Sequence, residues 1–383
     1  MVYYIDLKEG KKENSGKSES SPVNDYRGLE LKAGDTVLFK RGTFVRDRLY
    51  NKNGVSYGAY GEGENPTFCG SVDVKNDLWE ETYKNIWKYN GVLETEVCNF
   101  IYNNDTCGAL RWEKDELKEQ GDFWDSAFGK CEPREKIENH EVYIFSKGNP
   151  KDVYDSIECV LRINRSLAQM GHDMTFSDLS FINNGVHAIA GEEPARNIHI
   201  KNCTFKYIGG SVWSKKMRIR FGNGVECWDV AENITVENCL FDDIYDSAVT
   251  HQGGKDCKPA ENYIIRNNIF RKCGIGAYEQ RDLMPKYAEF VGNICEKAGE
   301  GFSKLGEVMP RRSEIWPQPM GHHLFLWRIE NPTENGRIKI ENNVFGDAIY
   351  GKAIYDIICD DAKKQLEINN NEYKGVFLDE KSI

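Results

Sequence analysis

The chain has 383 residues, 40% of them hydrophobic, and a formal net charge of −11. That is enough apolar material for a long core, and the acidic balance argues against a general nucleic-acid binder. No apolar run reaches the about 18 residues of a membrane-crossing helix, so neither nucleic acid nor membrane is expected as a partner.

Residues 1–32 are polar and rich in Gly, Ser and Lys. They read as an N-terminal cap, with a short helix expected around Val23–Leu31 to cover an otherwise open sheet edge. The opening Met1-Val2-Tyr3-Tyr4-Ile5-Asp6 has no basic n-region and no apolar h-region, so the expected location is cytoplasmic, or extracellular if a signal has been trimmed. Asp35-Thr36-Val37-Leu38-Phe39-Lys40-Arg41-Gly42 and Gly58-Ala59-Tyr60-Gly61-Glu62-Gly63 read as the first coils of a solenoid running from 33 to 375. From about 75 to 165 an insertion interrupts it, containing Trp79, Trp87, Trp112, Trp124 and the strand-like Val142-Tyr143-Ile144-Phe145-Ser146. Most of these aromatics are expected to pack a small β-rich subdomain, with one or two left to wall a ligand site.

Beyond the insertion one phrase recurs. Lys201-Asn202-Cys203-Thr204-Phe205 returns as Glu237-Asn238-Cys239-Leu240-Phe241, Arg266-Asn267-Asn268-Ile269-Phe270 and Glu341-Asn342-Asn343-Val344-Phe345. Degraded copies end at Phe181, Cys295 and Tyr373, so the intervals are 24, 36, 29, 25, 50 and 28 residues. A period in the twenties carrying an alternating strand and a polar turn signals a solenoid whose surplus residues lie in loops. The Phe column should stack inside. The Asn column (Asn202, Asn238, Asn267, Asn342, Asn370) should form a ladder at a bend, where Asn tolerates a left-handed backbone. Twelve cysteines are present, but Cys203 and Cys239 fall on a repeat position and read as small reduced turn residues. No CxxC pair occurs, and neither a metal nor a cofactor is expected.

A second recurring phrase follows each Phe: Val186-His187-Ala188-Ile189, Val225-Glu226-Cys227-Trp228, Val249-Thr250-His251-Gln252, Ala277-Tyr278-Glu279-Gln280, Phe325-Leu326-Trp327-Arg328 and Ile354-Tyr355-Asp356. If these share one phase, strand alternation turns His187, Glu226, Thr250, Tyr278, Leu326 and Tyr355 outward in one column. Trp228, Gln252, Gln280 and Arg328 form a second. Glu279 and His251 would then point inward unless a bulge turned them. Two excursions, Ile208–Gly224 and Gly299–His323, leave the same side and carry Lys215, Lys216, Arg218 and Arg220, then Arg311, Arg312, Trp316, His322 and His323. Loops on one edge of a solenoid commonly build its binding face. Residues 376–383 are a C-terminal tail.

These features give an all-β chain, a right-handed parallel β-helix solenoid with an N-terminal cap and a small β-rich insertion. The Asn and Phe ladders resemble the pectate-lyase-like superfamily. The opening coils and the Tyr-Ile-Phe-Ser phrase of the insertion resemble bacterial parallel β-helix glycoside hydrolases, a group that includes enzymes acting on fucosides, xylosides and galactosides. The resemblance implies an oligosaccharide or polysaccharide substrate. Glycoside cleavage normally needs two carboxyl groups, and Glu226 with Asp246 is the first choice as acid and nucleophile or base. Glu279 and His251 are reserve catalytic candidates, while His187, Arg220, Trp228, Gln252, Tyr278, Trp327 and Arg328 are expected to bind sugar. Two other functions stay open. One is a lyase or epimerase on uronates, with His251 or Tyr278 as base and the basic loop Lys215–Arg220 on the substrate carboxylate. The other is a non-catalytic carbohydrate-binding solenoid. Oligomeric state is not legible.

Overall fold

The computed structural model describes residues 1–130, 136–162, 165–191, 194–254, 257–312 and 320–378. Their strands form three long parallel sheets of ten, nine and seven strands. Each complete coil contributes one strand to each, as in Ala195–Lys201, Thr204–Ile208 and Val225–Trp228. This is a parallel β-helix.

The Phe column sets its register. Phe181, Phe205, Phe241, Phe270, Cys295, Phe345 and Tyr373 are successive rung partners. Their rings stack inside the solenoid, with centroids 5.7 Å apart for Phe181 and Phe205, 4.4 Å for Phe205 and Phe241, and 5.1 Å for Phe241 and Phe270. The Asn column before it turns each coil: Asn202, Asn238, Asn267, Asn342 and Asn370 all have φ between 54° and 56°, the left-handed region Asn tolerates. The side-chain ladder runs one residue later than expected. Asn268 Nδ2 donates to Asn293 Oδ1 (3.1 Å), Asn293 Nδ2 to Asn343 Oδ1 (3.2 Å) and Asn343 Nδ2 to Asn371 Oδ1 (2.9 Å). At the head of this inner column stand Cys203 and Cys239, both buried and unbridged. Small or amide side chains fit there because the position faces inward against backbone carbonyls.

Two segments differ from expectation at the N-terminus. Val23–Leu31 holds turns and no helix. Val2–Ile5 instead pairs in parallel with Thr36–Lys40 and begins the ten-stranded sheet. The apolar alternation of Tyr3 and Ile5, both buried, favours a strand over a helical cap.

Eight strands between Ser71 and Leu161 build two four-stranded antiparallel sheets. They enclose a core of their own containing Trp79, Phe100, Trp112 and Phe123, with Trp87 and Trp124 packed against it. A hairpin, Ser211–Ser214 with Ile219–Phe221, rises beside this insertion. Its stem passes so close to itself that a Cβ on Gly222 (φ 141°) would lie 2.3 Å from Gly209 Cα. The buried Glu96 carboxylate fastens the two bodies: Oε1 accepts from the Val212 backbone (2.7 Å) and Oε2 from the Gly129 backbone (2.6 Å). Hairpin and insertion thereby wall the outer face of the seven-stranded sheet.

Candidate active site

On that sheet the rungs run Ala190, Glu226, Thr250, Glu279, Phe325, Tyr355. Successive residues of a strand face opposite sides, so this whole column is turned outward. The expected register was wrong by three residues at His187, where Ala190 stands beside Glu226, and by one at Tyr278 and Leu326, while Tyr355 stands where it was expected. Tyr278 pairs with Val249 and faces in, stacked on Tyr263 and Phe290 at 6.2 Å from each. Leu324 and Leu326 likewise join the solenoid core, while Phe325 joins an outer cluster with Ile275, Met320 and Trp327. The slip moves Glu279 from the interior to the outer face and removes Tyr278 from any contact with ligand. The second outward column holds Trp228 beside Gln252, then Arg281 beside Trp327.

Both columns open into a cavity of about 650 Å³. Glu226, Glu279, Gln252, Trp228 and Trp327 line it from the sheet, and His187 and Asp246 from the corner of the coil. The hairpin adds Trp213, Ile219, Phe221 and, at its foot, Asn223. Lys130, Arg162 and Arg165 belong to the insertion side, and Arg311 and Met320 to the second excursion. Trp316 of that excursion lies outside the described residues. None of the four insertion tryptophans reaches this cavity.

Each carboxyl has a distinct environment. Glu226 Oε2 accepts from Asn223 Nδ2 at 2.6 Å and lies 3.0 Å from His187 Nδ1. That same Nδ1 is 3.0 Å from the Asn223 backbone amide, and it can serve only one of them: bare, it accepts from Asn223; protonated, it donates to Glu226. Burial pushes the Glu226 carboxyl up, but the His187 charge, the hydrogen bonds and Arg165 outweigh it and hold it below the usual carboxylate range. Asp246 Oδ1 takes Arg311 Nε at 2.8 Å and Oδ2 takes the Gly222 amide at 3.1 Å; burial nonetheless raises it, with Arg311 opposing. The chain bends at the corner, the Asp246 amide bonding Gly222 O at 3.0 Å, and Asp246 lines the same cavity as Glu226 and Glu279. Glu279 accepts from Trp327 Nε1 (2.8 Å), Ser247 Oγ (3.0 Å), Gln252 Nε2 (3.3 Å) and Thr250 Oγ1 (3.4 Å). Burial raises its pKa, Arg281 opposes this, and the neighbouring Asp246 charge adds to the rise.

Four expected site residues lie elsewhere. His251 faces inward, its Nε2 on Asp229 O (2.8 Å) and its Nδ1 near Gln280 Nε2 (2.9 Å), and burial lowers its pKa. Arg220 sits between Ile219 and Phe221, which face the cavity, so alternation sends it the other way. There it donates to Gly210 O and Cys98 O, both at 2.7 Å. Arg328 follows a break in the ladder after Trp327 and, at φ 61°, turns to Asp282 (2.8 Å) at the rim. Tyr278 is in the core, as above. Conversely, Asn223, Arg281 and Trp213 line the cavity and were not singled out from sequence. Among the described residues no cluster of three metal-ligating side chains occurs, and no helix is long and apolar enough to cross a membrane.

No family model matches the chain, and no curated protein matches it. Among solved structures, XylC in complex with xylose aligns over 97% of this chain at 12% identity with a TM-score of 0.55. The chain covers 63% of XylC, so it spans less than two thirds of that protein. The likeness shows a shared parallel β-helix fold. Two further likenesses fall below a TM-score of 0.5 and carry no weight. They are a GH136 lacto-N-biosidase from Eubacterium ramulus (0.43, 11% identity, 97% of this chain and 68% of that one) and a glycoside hydrolase (0.38, 10%, 98% and 96%).

Proposed function

We propose that the protein is a glycoside hydrolase acting on oligosaccharides, with Glu279 as general acid and Glu226 as general base. The observation that carries this reading is the placement of Glu226 and Glu279 on one outward column, two rungs apart, in a cavity walled by indoles. Neighbouring parallel strands are about 4.8 Å apart, so two rungs put their Cα atoms roughly 9–10 Å apart, and carboxyls projecting in parallel from one column would keep a comparable spacing. Inverting glycosidases hold their carboxyls about 6.5–9.5 Å apart, leaving room for a water, whereas retaining enzymes need about 5–5.5 Å.

The environments divide the roles. Glu226, kept ionised by His187 and Asn223, takes a proton from water as the oxygen bonds to the anomeric carbon. Glu279, whose pKa burial raises against Arg281 with the Asp246 charge adding to the rise, is the carboxyl suited to deliver a proton to the glycosidic oxygen as the C–O bond breaks to release an alcohol. Asp246 stays with Arg311 and acts through Glu279 rather than on the sugar. Trp213, Trp228 and Trp327 supply apolar faces for pyranose rings, and Gln252 supplies an amide for hydroxyl groups.

A screen of aryl glycosides and oligosaccharides, read by proton NMR of the first-formed anomer, tests the reading. Inverted product is expected. Retained product would overturn the base assignment, and sugar binding without turnover would return the protein to the non-catalytic class. The lyase alternative drew its base from His251 or Tyr278, and both face the solenoid interior.

A further inference from the structure

Charge within the cavity runs against that of the chain. The protein carries −11 overall, yet five cationic side chains line the cavity beside three carboxyls. Asp246 is matched by Arg311 at 2.8 Å and Glu226 by His187 at 3.0 Å. Arg281 is placed differently. It follows Glu279 by two residues on the same strand, so both side chains project from one face about 6–7 Å apart. Its guanidinium lies between two indoles, 5.3 Å from the Trp228 ring and 5.6 Å from the Trp327 ring. Stacking of this kind fixes the plane of the fork without using its N–H donors. Among the described residues the one acidic partner of Arg281 is Asp282, 3.4 Å from Arg281 Nε, but the contact lacks hydrogen-bond geometry and that Nε is without an acceptor. Asp282 is itself engaged by Arg328 at 2.8 Å. A guanidinium held rigid at the edge of a sugar-sized cavity with donors to spare is a receptor for a planar anion, since bidentate carboxylate or sulfate contacts use that fork.

We propose that the sugar bound in this cavity carries an anionic substituent, a carboxylate or a sulfate ester, received by Arg281 between Trp228 and Trp327. This rests on the hydrolase reading for its catalytic consequence, but the recognition itself does not. The anion sits at the Arg281 fork, two rungs from the strand of Glu226 and on the second outward column rather than on the column of Glu226 and Glu279. The basic loop Lys215–Arg220 contributes no cation here, because none of Lys215, Lys216 and Arg218 lines the cavity and Arg220 donates to Gly210 O and Cys98 O.

The test uses matched aryl glycosides differing at one carbon: glucuronide against glucoside, galacturonide against galactoside, and 6-sulfated against unsulfated galactoside. The kcat/KM ratio of the anionic to the neutral member is expected to exceed about tenfold, the worth of charged hydrogen bonds. Arg281→Gln should collapse that ratio toward one and Arg281→Lys restore part of it. Using the ratio removes any general loss from altering the neighbour of Glu279. The uronide and sulfate arms decide which anion is taken. Binding is read separately, by quenching of tryptophan fluorescence with glucuronate, galactose 6-sulfate and glucose. Anion binding lost in Arg281→Gln would uphold the inference even without turnover, when the hydrolase reading alone would fail. Hydrolysis of neutral glycosides with no preference for the anionic partner, or a preference that survives Arg281→Gln, would overturn it.

Discussion

Replacing Glu279 by Gln isolates the proton-donating role from every structural one. The side chain keeps its length, and its Oε1 can still accept from Trp327 Nε1, 2.8 Å away. Ser247 and Thr250 now donate to Oε2 at 3.0 and 3.4 Å, and their hydroxyls can rotate to accept from the new amide. Gln252, whose Nε2 donates to the same oxygen at 3.3 Å, can flip its own amide to present oxygen. Fold stability should therefore change by less than about 1 kcal/mol. Loss of the acid should cost about 10²–10⁴-fold in kcat/KM for an alkyl or sugar leaving group. The loss should shrink steadily along a series of aryl leaving groups, vanishing for a dinitrophenolate that departs without protonation. Glu226→Gln is the control, because a base acting on water is needed whatever leaves, so its loss should be uniform across the series. Rates for the two variants on five or six aryl glycosides give the two slopes. A Glu279→Gln deficit independent of the leaving group, or one that tracks the leaving group in Glu226→Gln instead, would refute the division of roles.

Three further outcomes follow from the same contacts. Activity should fall as pH drops through the lowered pKa of Glu226, so His187→Ala, which removes the opposing charge, should move the acid limb of kcat/KM upward; an unmoved limb would place the influence elsewhere. Activity should fall again as pH rises through the raised pKa of Glu279. Asp246→Asn removes a like charge and leaves Arg311 uncompensated, and both effects favour ionised Glu279, so the alkaline limb should shift to lower pH. A shift upward would contradict this. Tyr278→Ala should cost about 3–5 kcal/mol in urea unfolding, as expected for deleting a buried ring, with the leaving-group slope preserved; a stable variant with weakened sugar binding would mean that the side chain faces the cavity.

The solenoid was legible because its signal repeats. The Phe column and the left-handed Asn turn are local requirements met at every coil, so each copy corroborates the others. Glu226, Trp228 and Gln252 were within reach of sequence for the same reason, being ladder neighbours of that frame, whereas Trp327 was named as a sugar ligand although the frame turned it inward. The remainder of the site has no such support. Asn223 and Trp213 belong to the single hairpin and occur once. The helix at Val23–Leu31 was misjudged because polar composition there says little, whereas the alternation of Tyr3 and Ile5 was the better clue to a strand.

The exchange of Glu279 for Tyr278 has a more instructive cause. Side-chain direction alternates along a strand, but every corner of a coil restarts the count, so parity cannot be carried through a turn by matching apolar residues. Aligning Ala277 with Val249 because both are small and hydrophobic puts the strand one residue out, and a one-residue slip inverts every side chain. An internal ruler was available. Ala190 stands nine residues after Phe181, Thr250 nine after Phe241 and Glu279 nine after Phe270, and these are rung-aligned on the outer face. Counting from the Phe ladder rather than from the local hydrophobic pattern yields the true register wherever a coil carries no insertion. By that count Glu279 is an outward carboxyl on the same column as Glu226, which is reached from Phe205 only after the hairpin between Ile208 and Gly224 is discounted. The aromatic ladder that closes each coil thus also fixes which residues reach the cavity, and core packing and the placement of the two carboxyls are one constraint.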